Sequence, residues 1–263
     1  MKTLVRALCL SPLILIIWAF RTYGAPTSIV AIRTPDFVVV AADSAGTFEG
    51  RGNPVTIKPV CKIQQAGRVL FAVSGFLVDP VTRFDVFRVV KNTKNRTGNV
   101  HGLAKAATAK LLRLFPQELK VLSTADPEAY GKIVGGRQDA SAVLFFGIEN
   151  RKPIAVAVGF EAVLSSNGSI QVSTKTLECP GPDCPNGVEA FYLGSHEAIE
   201  RYVHSAPQQT IAVPENFVSF LVQLEIAEHP DSVQGPIDVM RVDANGAKWI
   251  HVKSRCSETQ NNH

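Results

Sequence analysis

The sequence predicts an α+β fold in which two packed β-sheets are covered by helices, on three observations. Apolar, β-branched segments come first, three- and four-residue periodicity follows, and both patterns recur before a closing hairpin. The segment Phe37-Val38-Val39-Val40-Ala41-Ala42 is apolar without alternation, as expected of a strand covered on both faces. Composition agrees: 46% hydrophobic and 19% charged residues, with 19 Gly and 16 Pro among 263, describe a folded chain with many turns.

Residues 1–25 precede this domain. Lys2 and Arg6 supply a basic start, and Ala7 to Phe20 is an almost unbroken apolar run. Arg21 to Pro26 closes it with polar or small residues. The layout is that of a signal peptide, and the run is short for a membrane-spanning helix. An uncleaved anchor is the alternative. Cleavage after Gly24 would place Thr22 at the third position back, and cleavage after Ala25 would place Tyr23 there.

Thr27 to Arg33 and Phe37 to Ala42 read as a hairpin turning at Thr34-Pro35-Asp36. A second strand pair is expected over Lys58 to Ile63 and Arg68 to Ser74, turning at Ala66-Gly67. Leu77 to Val90 reads as an irregular helix weakened by Pro80. Leu103, Ala106, Ala107, Leu111 and Leu114 mark an amphipathic helix expected to stop at Phe115-Pro116. Leu119 to Asp139 has no clear pattern. Strands return at Ala140 to Gly147 and Pro153 to Phe160, with a weaker one over Ser169 to Ser173. Helices are expected at Glu197 to His204 and Glu215 to Glu228, the latter burying Phe217, Phe220, Leu221, Leu224 and Ala227. Pro236 to Val242 and Ala247 to Lys253 form the last hairpin. The reading is one domain over 26–253 and a polar tail over 254–263.

The leader carries three basic residues and no acidic ones, so its removal lowers the formal charge from +4 to +1. A nearly neutral domain without a Lys/Arg stripe excludes nucleic acid as a partner. Cys9 lies in the leader, leaving Cys61, Cys179, Cys184 and Cys256. An even number behind an export signal favours disulfides. Cys179 with Cys184 and Cys61 with Cys256 is one of three pairings. Zinc is the competing use, disfavoured by the lack of a second close Cys pair or a His cluster.

Several segments together resemble the proteasome β-subunit-like family of N-terminal-nucleophile (Ntn) hydrolases. They are Thr27-Ser28-Ile29-Val30-Ala31-Ile32, Val39-Val40-Ala41-Ala42-Asp43-Ser44, Ala72-Val73-Ser74-Gly75, Leu193-Gly194-Ser195 and Gly235-Pro236-Ile237-Asp238-Val239, followed by Asn245-Gly246. The resemblance runs from Thr27 to about Val252 and implies a four-layer αββα sandwich of the Ntn-hydrolase type. It places Thr27 on the nucleophile, Asp43 on the first acidic residue and Lys58 on the catalytic lysine, one residue closer to Thr27 than usual. Gly75 falls on the oxyanion-hole glycine, and Ser195 and Asp231 on the supporting serine and aspartate. Gln234 stands where active members carry another serine. Thr56, Val73 and Leu77 resemble pocket positions and imply small or apolar substrate side chains.

The chemistry implied is consistent. A threonine hydroxyl is a weak nucleophile, but a free α-amine on the same residue titrates near neutrality and can take its proton. Lys58 would hold that amine neutral, Asp43 would position the lysine, and the Gly75 N–H would stabilise a tetrahedral intermediate. Each residue also has a plainer use. Thr27 suits a strand, Asp43 and Ser195 suit caps, Lys58 a sheet edge, Gly75 a tight turn and Asp231 a loop. His196 beside Ser195 does not make a triad, since adjacent side chains rarely converge. Asn95-Arg96-Thr97 and Asn167-Gly168-Ser169 fit the glycosylation pattern.

The expectation is an exported threonine-type peptidase or amidohydrolase using Thr27 after processing. The alternative is a catalytically inactive proteasome-like structural or binding protein. The expected partner is a peptide or small amide substrate, and a homo-oligomer, ring or otherwise, is compatible. No cofactor or metal is expected, nor an ATP-dependent unfoldase in a periplasmic or extracellular setting. A retained leader would anchor the protein to a membrane.

Overall fold

The computed structural model describes residues 18–20, 27–48, 56–75, 78–79, 82–135, 139–182, 184, 188–205, 213–253 and 256. The expected signal segment lies outside them except for Trp18–Phe20, as do Pro80, Leu77 and all of the polar tail but Cys256. The chain order is β1 (Trp18–Phe20), β2 (Ser28–Arg33), β3 (Phe37–Ala42), β4 (Ala45–Phe48), β5 (Thr56–Pro59), β6 (Ile63–Ala66), β7 (Val69–Gly75), β8 (Val78–Asp79) and β9 (Phe84–Asp85). Helices α1 (Val86–Lys91), α2 (Val100–Ala125) and α3 (Pro127–Gly135) follow. Then come β10 (Ser141–Glu149), β11 (Lys152–Leu164), β12 (Ile170–Cys179), β13 (Glu189–Gly194), α4 (Glu197–Ser205), α5 (Pro214–Glu228), β14 (Asp238–Asp243) and β15 (Gly246–His251).

One sheet runs β1-β13-β2-β3-β14-β15, antiparallel except where β1 joins β13 in parallel. The other runs β12-β11-β10-β7-β6 and is antiparallel throughout. The β2–β3 hairpin forms as expected, with Ile29 opposite Ala42 and Arg33 opposite Val38. Its turn is closed by Thr34, whose hydroxyl accepts the Phe37 N–H at 3.2 Å.

Every residue of β2 and β3 is buried, and side-chain alternation explains why. Ile29, Ala31, Val38, Val40 and Ala42 face the second sheet and pack with Ala72, Leu144 and Ala157. Val30, Ile32, Val39 and Ala41 face the other way, onto Val218, Leu221 and Val222 of α5. Each large aliphatic side chain so buried contributes about 1.5–3 kcal/mol. Phe71, Val73, Val143 and Phe145 meet Val90, Leu103, Ala107, Leu111 and Phe115 of α1 and α2 on the outer side of the second sheet.

The expectation of a four-layer αββα sandwich of the Ntn-hydrolase type is corrected to a β-rich fold carried by two mainly antiparallel sheets. The helices among the described residues are few, and their covering is partial. Ile170 and Val172 of β12 pack against Leu119 and Leu122 of α2, but most side chains of β12 and β15 are exposed or half-buried.

Other expectations are corrected at the level of elements. The helix expected over Leu77 to Val90 shrinks to α1, begun by Asp85, whose carboxylate accepts the Arg88 N–H at 3.1 Å. Helix α2 does not stop at Phe115-Pro116 but runs on to Ala125. A proline inside a helix costs about 3 kcal/mol. Here Phe115 is wholly buried between the rings of Phe84 and Phe160, at 5.4 and 5.0 Å, and Leu119 and Leu122 extend the buried stripe. On α5 the buried face is Val218, Leu221, Val222 and Glu225, while Phe220 is 42% exposed. Strand β13 had no expected counterpart, yet it lies inside the first sheet and is buried along its length.

Cys61 pairs with Cys256 and Cys179 with Cys184, at Cα separations of 5.6 and 5.3 Å. Disulfides are characteristic of proteins held in an oxidising, exported environment. No helix among the described residues is long and apolar enough to cross a membrane.

Candidate active site

The site forms where three strand ends meet. Thr27 immediately precedes β2, Asp43 immediately follows β3, and Lys62 immediately precedes β6. Hairpin pairing brings the first two together: the Asp43 N–H donates to the Ser28 carbonyl at 3.1 Å. In return, Asp43 Oδ1 accepts the Ser28 N–H at 2.9 Å, and its Oδ2 accepts the Ala45 N–H at 3.0 Å. The carboxylate is thus held at both oxygens by backbone.

Lys62 completes the group. Its Nζ donates to Asp43 Oδ1 at 2.5 Å and to Thr27 Oγ1 at 2.9 Å. Thr27, Asp43 and Lys62 are all fully buried. Burial pushes the Lys62 ammonium below its ordinary range. The Asp43 carboxylate opposes that shift, and the charge of Lys253 adds to it.

Two supports hold the lysine-bearing segment. Lys253 pairs with Asp238 at 2.8 Å and donates to the Val60 carbonyl at 2.8 Å. Cys61, the neighbour of Lys62, is tied to Cys256. Ser44 fixes the other side: its N–H and hydroxyl donate to the Gln234 carbonyl at 2.8 and 3.0 Å, and its own carbonyl accepts the Val60 N–H.

A third wall comes from β13. The Ser195 N–H donates to the Thr27 carbonyl at 2.7 Å. Gly194 has φ +85°, and a Cβ there would lie 1.8 Å from the Thr27 carbonyl oxygen. Only glycine fits so close an approach.

No protein-family model and no curated protein matches this chain.

Of the residues expected from sequence, Thr27, Asp43 and Ser195 converge, the last through its backbone. The backbone of Lys58 lies in β5 opposite Gly46, and the ammonium observed on Thr27 is that of Lys62, four residues later. Asp231 is exposed in the loop after α5, outside the buried Thr27–Asp43–Lys62 group. That loop reaches the site through the Gln234 carbonyl, while the Gln234 side chain turns back to the Pro230 carbonyl at 3.1 Å. Gly75 ends β7 opposite Ser141 with φ +91°, a backbone that glycine accepts readily. Val73 lies buried in β7, facing α1 and α2 rather than an open pocket. Thr56 stands in β5. His196 is buried, with Nδ1 2.5 Å from the Gly194 carbonyl and Nε2 3.4 Å from Glu200, so no Ser195–His196 dyad forms.

Chemically, the group is a hydroxyl in contact with an amine whose pKa burial has lowered. Neutral Lys62 can accept the Thr27 proton, while Asp43 keeps the amine on the hydroxyl. The residue missed by sequence, Lys62, stands between Cys61 and strand β6, whose sequence Ile63-Gln64-Gln65-Ala66 carries no apolar run to mark it.

Proposed function

We propose that the protein is a threonine-type peptidase or amidohydrolase acting through Thr27, exported in a precursor form. The observation that carries this reading is the 2.9 Å contact from Lys62 Nζ to Thr27 Oγ1, made within a fully buried Lys62–Asp43 pair.

That contact supports an acyl-transfer reaction, in which the role of Gly75 is taken from the family resemblance. Thr27 Oγ1 attacks the carbonyl carbon of an amide and passes its proton to neutral Lys62, or to its own α-amine once processing has freed it. The N–H of Gly75 is assigned to the developing oxyanion. The tetrahedral intermediate collapses as the C–N bond breaks, and the proton goes to the leaving amine. Water then hydrolyses the ester on Thr27. The full burial of Thr27 in the unprocessed chain is consistent with a closed precursor.

That same burial favours a second reading, an inactive structural or binding protein that keeps its leader. Intact-mass measurement separates the two. A product beginning at Thr27, with amide hydrolysis lost in Thr27→Ala, is expected for the hydrolase. A homogeneous mature protein that retains Pro26 would sink the α-amine mechanism, and equal activity in Thr27→Ala would reject the nucleophile.

A further inference from the structure

A second cluster lies on the helices that cover the first sheet. Glu225, in the last turn of α5, is fully buried. Its Oε1 accepts the Ile199 N–H at 3.0 Å, which ties α5 to the start of α4. Its Oε2 has no hydrogen-bond partner among the described residues. One turn later His229 caps α5, and its Nε2 is likewise without a hydrogen bond, 3.7 Å from Glu225 Oε2. Glu197 opens α4, with one oxygen accepting the His196 N–H at 3.2 Å. One ligand atom from each of Glu197, Glu225 and His229 lies within 4.8 Å of the other two.

From this juxtaposition we infer that Glu197, Glu225 and His229 bind a divalent cation of the zinc class. Capping α4 accounts for one oxygen of Glu225 and leaves the other buried in the cluster, facing His229 Nε2 without a hydrogen bond. Two carboxylates and a neutral imidazole carry two negative charges, which a divalent ion cancels. Mixed oxygen and nitrogen ligands suit Zn²⁺ better than Ca²⁺, which takes oxygen alone. In a tetrahedral zinc site adjacent ligand atoms stand about 3.3 Å apart, given bonds of about 2.0–2.1 Å. The 3.7 Å separation of His229 from Glu225 needs little change, and half-buried Glu197 can close on both. Backbone N–H groups already orient both carboxylates, as outer partners do in metal sites. Burial and the charge of Glu197 raise the Glu225 carboxyl, against the Ile199 and Ala198 N–H groups and His229. A cation would relieve that opposition. Access is from solvent, because His229 is 38% exposed and Glu197 also lines an open depression of about 700 Å³ with Arg201 and His204.

The inference does not depend on the chemistry at Thr27. It is tested by titrating ZnCl₂ into untagged, metal-free protein, reading heat and melting temperature. One equivalent should bind and raise the melting temperature, and His229→Gln and Glu225→Gln should each weaken binding at least tenfold. Glu225→Gln retains an oxygen for the Ile199 N–H, so its zinc-free melting temperature reports folding separately. Co²⁺ should give d–d absorption that His229→Gln removes. No saturable zinc binding, or unchanged affinity in His229→Gln, would overturn the proposal.

Discussion

Gly194 stands so close to Thr27 that a side chain on it would overlap the Thr27 carbonyl oxygen, to which the Ser195 N–H donates. Strand β13 therefore presses the candidate nucleophile into place with bare backbone. A positive-φ conformation for a non-glycine residue costs about 1–3 kcal/mol, and the overlap adds to it. Gly194→Ala should lower the denaturant midpoint by more than that strain alone, measured in urea.

Lys62 and Lys58 lie four residues apart and should separate sharply in function. Lys62→Met should reduce amide hydrolysis at least about a hundredfold, as expected for loss of a general base. Lys58→Met should leave most of it. Because the Lys62 ammonium is pushed down by burial, activity in wild type should rise with pH as that group loses its proton. Lys62→Arg, which cannot lose a proton, should lack this limb. Initial rates across about pH 5–9, roughly two units on either side of neutrality, provide the check.

The Lys62–Asp43 pair also bears on folding. Removing one partner of a buried ion pair costs about 3–5 kcal/mol, since the other charge is left without compensation. Lys62→Met should show a loss of this order in chemical denaturation. The double variant with Asp43→Asn should recover part of it, and a purely additive double would count against the coupling.

Asp139 predicts an unusual pH dependence of stability. Burial and the charge of Glu161 push its carboxyl from 3.8 up to about 7, against the pull of Lys175. Between these values the unfolded chain is ionised while the folded chain holds its proton, so stability falls as pH rises from about 4 to about 7. Asp139→Asn should flatten that decline, seen in urea midpoints at either end of the window.

The two disulfides should differ in weight. Cys61–Cys256 closes a separation of 195 residues and Cys179–Cys184 one of 5. Loop-closure entropy gives about 5 and about 2 kcal/mol respectively. Cys61→Ala with Cys256→Ala should lower the melting temperature more than the other double substitution. It should also depress hydrolysis, since Cys61 adjoins Lys62.

The hairpins were legible because β2, β3, β10, β11, β14 and β15 form apolar runs joined pairwise by turn residues, a local signal. Helix α2 was misjudged at Pro116 because the packing of Phe115 against Phe84 and Phe160 is tertiary and invisible in the local pattern. Strand β13 escaped because its six residues follow a Cys-Pro-Gly segment and precede a helix without a hairpin partner in sequence. At the site, Thr27 and Asp43 were singled out only through the family resemblance, and the β2–β3 hairpin brings them together. Lys62 was not, since its position depends on Cys61, Val60 and Lys253, contacts made across the chain.

The short parallel ladder between β1 and β13 has a kinetic corollary. A cut before Thr27 would sever the chain but not the pairing of Trp18–Phe20 with Phe191–Leu193. Scission and departure of the leader would be two events, the second governed by how quickly three residues of backbone pairing come apart. A nicked molecule would keep its leader until then, and would afterwards present the bare edge of β13, hydrogen-bonding groups outward.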